Sequence, residues 1–316
     1  MIATPSSLIK VPDRFALWGA VGAAIWLIAV VLVWPALEVS ILLLGPFVIV
    51  PLGLRLIGRE HETAWQTRIR SIVGTCGLPA ALVLLVSFLW QDYGLVPALL
   101  ATPWLLITML MAVWGGLKAH ARRFRNGADL AATAALLFIA IGGSWTLLSR
   151  AGIRPLDFSD AIVLLTGVHF HYAGFALPLL AGMVMSRLPL SKIMWLMLCG
   201  IIAGVPLVGV GISLSPLVEV LAALLLVVSC LLLAGAQARL AIQLRDPNRS
   251  TLLLISSLSL LSAMLFAAIY AVSEFCGGKW LEIPTMIAIH GTTNACGFAI
   301  CGLLAHQQLK EVATTN

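Results

Sequence analysis

Long apolar runs alternate with short polar segments along this chain. Ten runs approach the roughly 20 residues that a helix needs to cross the hydrocarbon core of a membrane. The polar segments between them are too short to form a soluble domain. The pattern therefore predicts an all-α polytopic transmembrane bundle, a single integral membrane domain over residues 1–316. The predicted spans cover about 16–34, 37–57, 72–91, 95–117, 129–148, 161–185, 191–211, 217–238, 251–272 and 284–305.

The distribution of charge supports the same number of spans. Lys and Arg collect in the cytoplasmic loops of membrane proteins. With the N-terminus inside, sixteen of the 19 basic residues fall in inside segments, and only Arg150, Arg154 and Lys279 fall outside. Both termini are therefore predicted to be cytoplasmic. The net charge of +6 comes from these loops and does not indicate nucleic-acid binding.

Composition places the chain in a lipid bilayer and leaves its activity open. Hydrophobic residues make up 61% of the chain and charged residues 10%, against roughly 25% charged residues in a soluble domain. The six cysteines show no C-x-x-C spacing, so structural zinc is not indicated. No signature of a serine hydrolase, zinc protease or P-loop nucleotide site occurs. Candidate chemistry must therefore come from polar residues within the spans.

Several polar residues lie inside the apolar runs, where an ionisable group costs on the order of 2.5 to 3.5 kcal/mol unless it faces a partner or water. At about 1.5 Å per residue, those of the sixth, ninth and tenth spans share the outer half of the membrane. The inner half is apolar apart from serines such as those in "SSLSLLS" at 256–262. This pattern predicts a one-sided pocket. Its candidate residues are His169, His171, Tyr172, Glu274, His290 and Asn294.

Helical geometry separates the two histidines of the sixth span. At about 100° per residue, His169 and His171 point about 200° apart. On a regular helix only one of them faces the pocket, and the sequence leaves open which one. Pro178 also removes a backbone N–H from this span, which leaves a carbonyl of the preceding turn without its usual donor.

Three functions suit these residues. In the first, an enzyme carries out acid–base chemistry (isomerisation, cyclisation or hydrolysis) on a lipophilic, isoprenoid- or polyketide-like substrate and needs no cofactor. One of the two sixth-span histidines passes the proton, Glu274 is the acid, and His290 with Asn294 orients the substrate. In the second, the same groups serve a proton-coupled transporter of a small molecule. In the third, His169 or His171 binds haem or a metal ion together with His290 and Glu274.

Two segments resemble known families. "HFHY" at 169–172 resembles the haem-ligating segment of haem-copper oxidase subunit I, but that family's H-P-E-V-Y segment and His-His pair are absent, so the likeness covers four residues. "GVHFHYAGFALPLLAG" and "HGTTNACGFAICGLLA", with the order of spans, resemble the YndJ-like bacterial membrane protein family. This second resemblance implies a bacterial inner-membrane location. The label of transporter given to that family keeps the second function open.

Overall fold

In the described part of the chain, ten helices are long and apolar enough to cross a membrane, which confirms the predicted transmembrane bundle. The computed structural model describes residues 13–33, 35–58, 62–122 and 126–315, and these contain helices but no strand. Lys10, Arg59, Arg123 and Arg125, which entered the charge count, lie outside the described residues. The spans are α1 (Arg14–Val33), α2 (Leu37–Leu56), α3 (Ala64–Leu89), α4 (Leu95–Ala121), α5 (Gly127–Ala151), α6 (Asp160–Met185), α7 (Lys192–Leu214), α8 (Pro216–Gln243), α9 (Pro247–Phe275) and α10 (Ile283–Leu309).

Helix α3 begins eight residues earlier than the apolar pattern predicts. Thr63 and Gln66 form a capping box, in which the Thr63 hydroxyl accepts the Gln66 N–H and the Gln66 side chain accepts the Thr63 N–H. Such a cap satisfies two of the free donors at a helix start. The first turns of α3 are polar, so hydropathy alone places the start too late.

Both ends of the described chain lie at one end of the bundle. The Arg55 guanidinium donates a 2.6 Å hydrogen bond to Gln307 and forms a 3.4 Å ion pair with Asp13. We call this end the basic end, because it also holds Arg70, Arg187 and Arg249. The other end, which carries Arg150 and Arg154, is called the opposite end. The assignment of the basic end to the cytoplasm stays a prediction.

The centre of the bundle is built on α2, which is the most buried of the ten helices, and on α6. Both helices contain a π-helical turn, at Gly45–Ile49 and Tyr172–Ala176, and α10 contains two more, at Ile287–Gly291 and Thr293–Ile300. The segments Gly45–Ile49, Tyr172–Ala176 and Thr293–Ile300 contact one another. Since π-helical turns are rare and frequently mark functional sites, this meeting point locates the candidate site.

Candidate functional site

His171 is held in the core as a fixed neutral imidazole. Its Nε2 accepts a 3.0 Å hydrogen bond from the indole N–H of Trp104, and its Nδ1 donates a 2.7 Å bond to the carbonyl of Gly167. The ring is fully buried. Gly45 and Gly142 face it so closely that a Cβ at either position would lie 2.9–3.1 Å from the imidazole. Both ring nitrogens are therefore occupied by structural partners.

His169 points to a different side of α6 and has a free nitrogen. Its ring bonds the backbone of Val205 on α7 and interacts electrostatically with His290. Nε2 is buried and has no hydrogen-bond partner, so the bond to Val205 uses Nδ1. With the proton on Nδ1, Nε2 presents a basic lone pair. His169, and not His171, is thus near enough to His290 to interact with it electrostatically.

His290 is also held in one tautomer. Its Nδ1 donates a 2.9 Å bond to the carbonyl of Ala263 on α9, and its Nε2 lies 3.2 Å from the Asn294 amide nitrogen, which donates to it. Both residues of this pair are half-buried. The irregular turns Ile287–Gly291 and Thr293–Ile300 carry them. The imidazole of this pair interacts electrostatically with His169.

Tyr172 lies between α2 and α10. Its hydroxyl donates a 2.8 Å hydrogen bond to the carbonyl of Ile41, and its ring is buried. The phenol interacts electrostatically with Cys296, a residue that the sequence did not single out as part of the site. Because its proton is already given to a backbone carbonyl, the Tyr172 oxygen is left as an acceptor. Tyr172 therefore links α6 to α2 near α10.

Glu274 lies apart from the imidazoles. It is exposed at the end of α9, where it bonds Tyr270 and interacts with Glu219 of α8. Ala263, whose carbonyl holds His290, precedes Glu274 by eleven residues, which is about 16 Å along the helix axis. The structure therefore gathers Glu219, Tyr270 and Glu274 in a separate group at the opposite end.

The part of α10 that carries His290 and Asn294 lies at the surface of the bundle. No residue from 283 to 294 is buried. In the same half of the bundle, α6 packs mainly against α2 and α5, whereas α7 packs mainly against α8. The polar groups of α10 are therefore accessible to a molecule entering from the membrane or from the opposite end.

The half of the bundle at the basic end contains more polar residues than the sequence predicts. His306 and Gln237 are fully buried there, and Gln307 is buried as well. The expectation that this half is apolar apart from serines is therefore wrong. The sequence pattern does not single out His306, because this residue directly follows the last predicted span and resembles a loop residue. In the structure, α10 continues past it to Leu309.

The proposed haem or metal ligands do not assemble into one set. Within the described part of the chain, no group of three or more His, Cys, Asp and Glu side chains could hold a metal ion. His171 would have to release both Trp104 and Gly167 to become a ligand. The residues present therefore do not fit a site built from a sixth-span histidine, His290 and Glu274.

The fold and this polar centre define a polytopic α-helical membrane protein. A family model described as YndJ-like protein matches residues 40–298, so the chain belongs to the YndJ-like family, as the sequence resemblance predicts. The uncharacterized membrane protein YndJ of Bacillus subtilis (strain 168) is 27% identical over 202 residues, which make up 64% of this chain and 37% of that protein. The chain thus corresponds to little more than a third of its relative. No solved structure matches it.

Proposed function

We propose that the protein is a membrane enzyme that performs acid–base chemistry on a lipophilic substrate, in a site formed by His169, His290 and Asn294. The observation that carries this proposal is the buried, unpartnered Nε2 of His169 beside a second imidazole. Leaving a buried polar atom without a partner costs about 1–3 kcal/mol. A substrate that bonds this nitrogen would supply the missing partner and account for the cost.

The tautomers give each group a role. For an isomerisation, Nε2 of His169 removes a proton from the substrate, and the imidazolium returns it to another substrate atom. The carbonyl of Val205 holds Nδ1–H throughout and steadies the imidazolium. Asn294, which already points its amide at His290, orients a polar group of the substrate or stabilises charge that develops on it. The substrate enters along α10, where residues 283–294 are not buried.

The remaining candidate residues act around this site. Tyr172 fixes the α2 side of the pocket through its bond to Ile41, and His171 keeps α6 in register through Trp104. Glu274, which lies with Tyr270 at the opposite end, is not part of the proposed site. A bacterial inner-membrane location, with the basic end in the cytoplasm, completes the proposal. It is supported by the charge distribution and by the bacterial relative.

A comparison of lipid-soluble metabolites tests the proposal. Bacteria that produce the protein, its His169→Gln variant, its His120→Gln variant or no copy are extracted and compared by untargeted mass spectrometry. His120 is an exposed histidine of α4 and serves as the matched control. We expect a substrate and product pair, of equal mass or differing by water, that interconverts with the protein and with H120Q but not with H169Q. Equal metabolite profiles for the protein and H169Q, at equal membrane levels, would reject the enzyme.

A proton-coupled carrier is the second candidate function. A carrier needs polar groups on the way to both sides of the membrane. The buried His306 and Gln237 in the other half of the bundle favour it, since a one-sided enzyme pocket has no need of them. In this case H169Q would abolish proton-driven uptake of the transported small molecule into vesicles. The metabolite profiles of bacteria with the parent protein and with H169Q would be the same.

A further inference from the structure

A line of polar and small residues runs along the contact between α9 and α10. His290 and Asn294 bond each other at one end of this line. Ser259 touches Gly297 in the next turn. We call the line the α9–α10 seam; its members are His290, Asn294, Ser259, Ser256 and His306, with Gly297 and Gly302 between them, and Gln237, which reaches the line from α8.

The seam continues through the centre of the bundle. The Ser256 hydroxyl donates a 2.9 Å hydrogen bond to the carbonyl of Phe298 and lies 3.5 Å from the side-chain oxygen of Gln237. Ser256 and Gln237 are both fully buried, and the amide nitrogen of Gln237 has no hydrogen-bond partner. A Cβ on Gly302 would lie 2.8 Å from the Ser256 hydroxyl, so this glycine leaves room beside it. His306 follows one turn later on the same face of α10.

His306 differs from the structural histidine of the same protein. His171 has a partner on each ring nitrogen, whereas both nitrogens of His306 are buried and neither has a partner. Buried polar atoms without protein partners are the places where proteins hold internal water, which needs a polar site with two or more partners. An imidazole with water on both nitrogens takes a proton at one and releases it from the other.

The seam reaches the basic end at Arg187. This exposed residue follows α6 and interacts electrostatically with His306. Partial burial of its guanidinium and the nearby Arg249 lower the pKa of Arg187. Arg249 is itself paired with Asp246 at 3.2 Å. From His290 to His306 the line covers sixteen residues of α10, or about 24 Å of helix, most of the roughly 30 Å hydrocarbon core.

We propose that the α9–α10 seam holds a file of water molecules that conducts protons between the basic end and the His290–Asn294 pair. A proton enters on water beside Arg187, binds one nitrogen of His306, and leaves from the other nitrogen to the next water. The amide of Gln237 and the hydroxyls of Ser256 and Ser259 hold the following waters in line. The proton then reaches the half of α10 in which no residue is buried. Each transfer moves one proton between adjacent groups and leaves no net charge behind.

This path does not rest on the proposed catalysis, because it can be measured without a substrate. Purified protein is reconstituted into vesicles that contain a pH-sensitive dye, and a potassium gradient with valinomycin drives protons inward. The rate of acidification is compared for the protein, His306→Gln, Ser256→Val and protein-free vesicles. Gln keeps hydrogen bonding at position 306 but carries no proton. Ser144→Val on α5 is the matched control, since that hydroxyl bonds its own helix away from the seam.

We expect the protein and S144V to acidify the vesicles faster than the protein-free rate, and H306Q and S256V to fall back to that rate. Each variant should elute as a single folded species, so that a loss of proton conduction is not caused by misfolding. The proposed proton path would be contradicted if the protein conducted protons no faster than protein-free vesicles, or if H306Q conducted them like the parent. The metabolite comparison with H169Q is a separate measurement, so the enzyme and the proton path can fail independently.

Discussion

His171 and Trp104 are joined twice, by a 3.0 Å hydrogen bond from the indole N–H to the imidazole and by stacking of the two rings at 5.9 Å. His169, only two residues earlier, has a buried nitrogen with no partner. One helix therefore carries a histidine with both ring nitrogens bonded and another with an unpartnered nitrogen. The two can be separated by experiment.

Replacing these histidines by leucine should have opposite effects. H171L strands the buried N–H of Trp104, so we expect a loss of about 1–3 kcal/mol in the free energy of unfolding. H169L removes an unsatisfied atom, so we expect an unchanged or higher Tm together with loss of function. Thermal unfolding of both variants in detergent measures the difference. Equal loss of stability in the two would show that His169 is a structural residue as well.

A methyl group at Gly22 should disturb the contact between α1 and α2. A Cβ there would collide with the backbone carbonyl of Phe47, within the π-helical turn Gly45–Ile49. Backbone has little room to shift, so we expect Gly22→Ala to cost about 1–3 kcal/mol. Gly209→Ala is the control, because its Cβ meets no atom within 4 Å. Its added methyl should leave Tm the same or raise it slightly, since alanine favours helix. A G22A variant as stable as G209A would refute this close contact.

Arg150 should stabilise the opposite end of the bundle. Its guanidinium donates to the carbonyls of Ser87, Trp90 and Asp92 at 2.8–3.0 Å and is buried beside Phe88 and Tyr93. Hydrogen bonds to a charged group contribute about 1.5–3 kcal/mol. We therefore expect Arg150→Met to lower Tm clearly, as measured by thermal unfolding.

Arg154 provides the control for this prediction. It forms a two-bond ion pair with Asp160 at 2.6 and 2.7 Å, which raises the pKa of Arg154, but both side chains are largely exposed. Exposed ion pairs contribute little to stability. Arg154→Met should therefore leave Tm almost unchanged. A larger effect at position 154 than at 150 would contradict the assignment of Arg150 as the structural residue.

The sequence predicts the spans well, because crossing a membrane demands long apolar runs that hydropathy reports directly. It also places His169 and His290 at one depth, and the two imidazoles interact electrostatically in the structure. Depth does not tell which helices are neighbours. For that reason the sequence could not show that Glu274 lies apart from the two histidines. It also could not identify Val205 and Ala263, because these residues bond the histidines through their backbone. Nor does a pattern of side chains reveal π-helical turns, which here meet at the centre.

Asn294 gives a test of the site that leaves its histidines intact. Its amide donates to Nε2 of His290 at 3.2 Å, so Asn294→Leu leaves that nitrogen without its donor and removes the proposed contact with the substrate. A positioned acid or base contributes about 10²–10⁴-fold to a rate, and loss of its orientation should slow formation of the product at least about tenfold. Mass spectrometry of the product measures this effect. Thr292→Val, a half-buried polar residue two positions earlier, is the control and should keep the parent rate. If N294L forms product like the parent while H169Q does not, His169 acts without the His290–Asn294 pair, and the site must be built around Val205 and α7 instead.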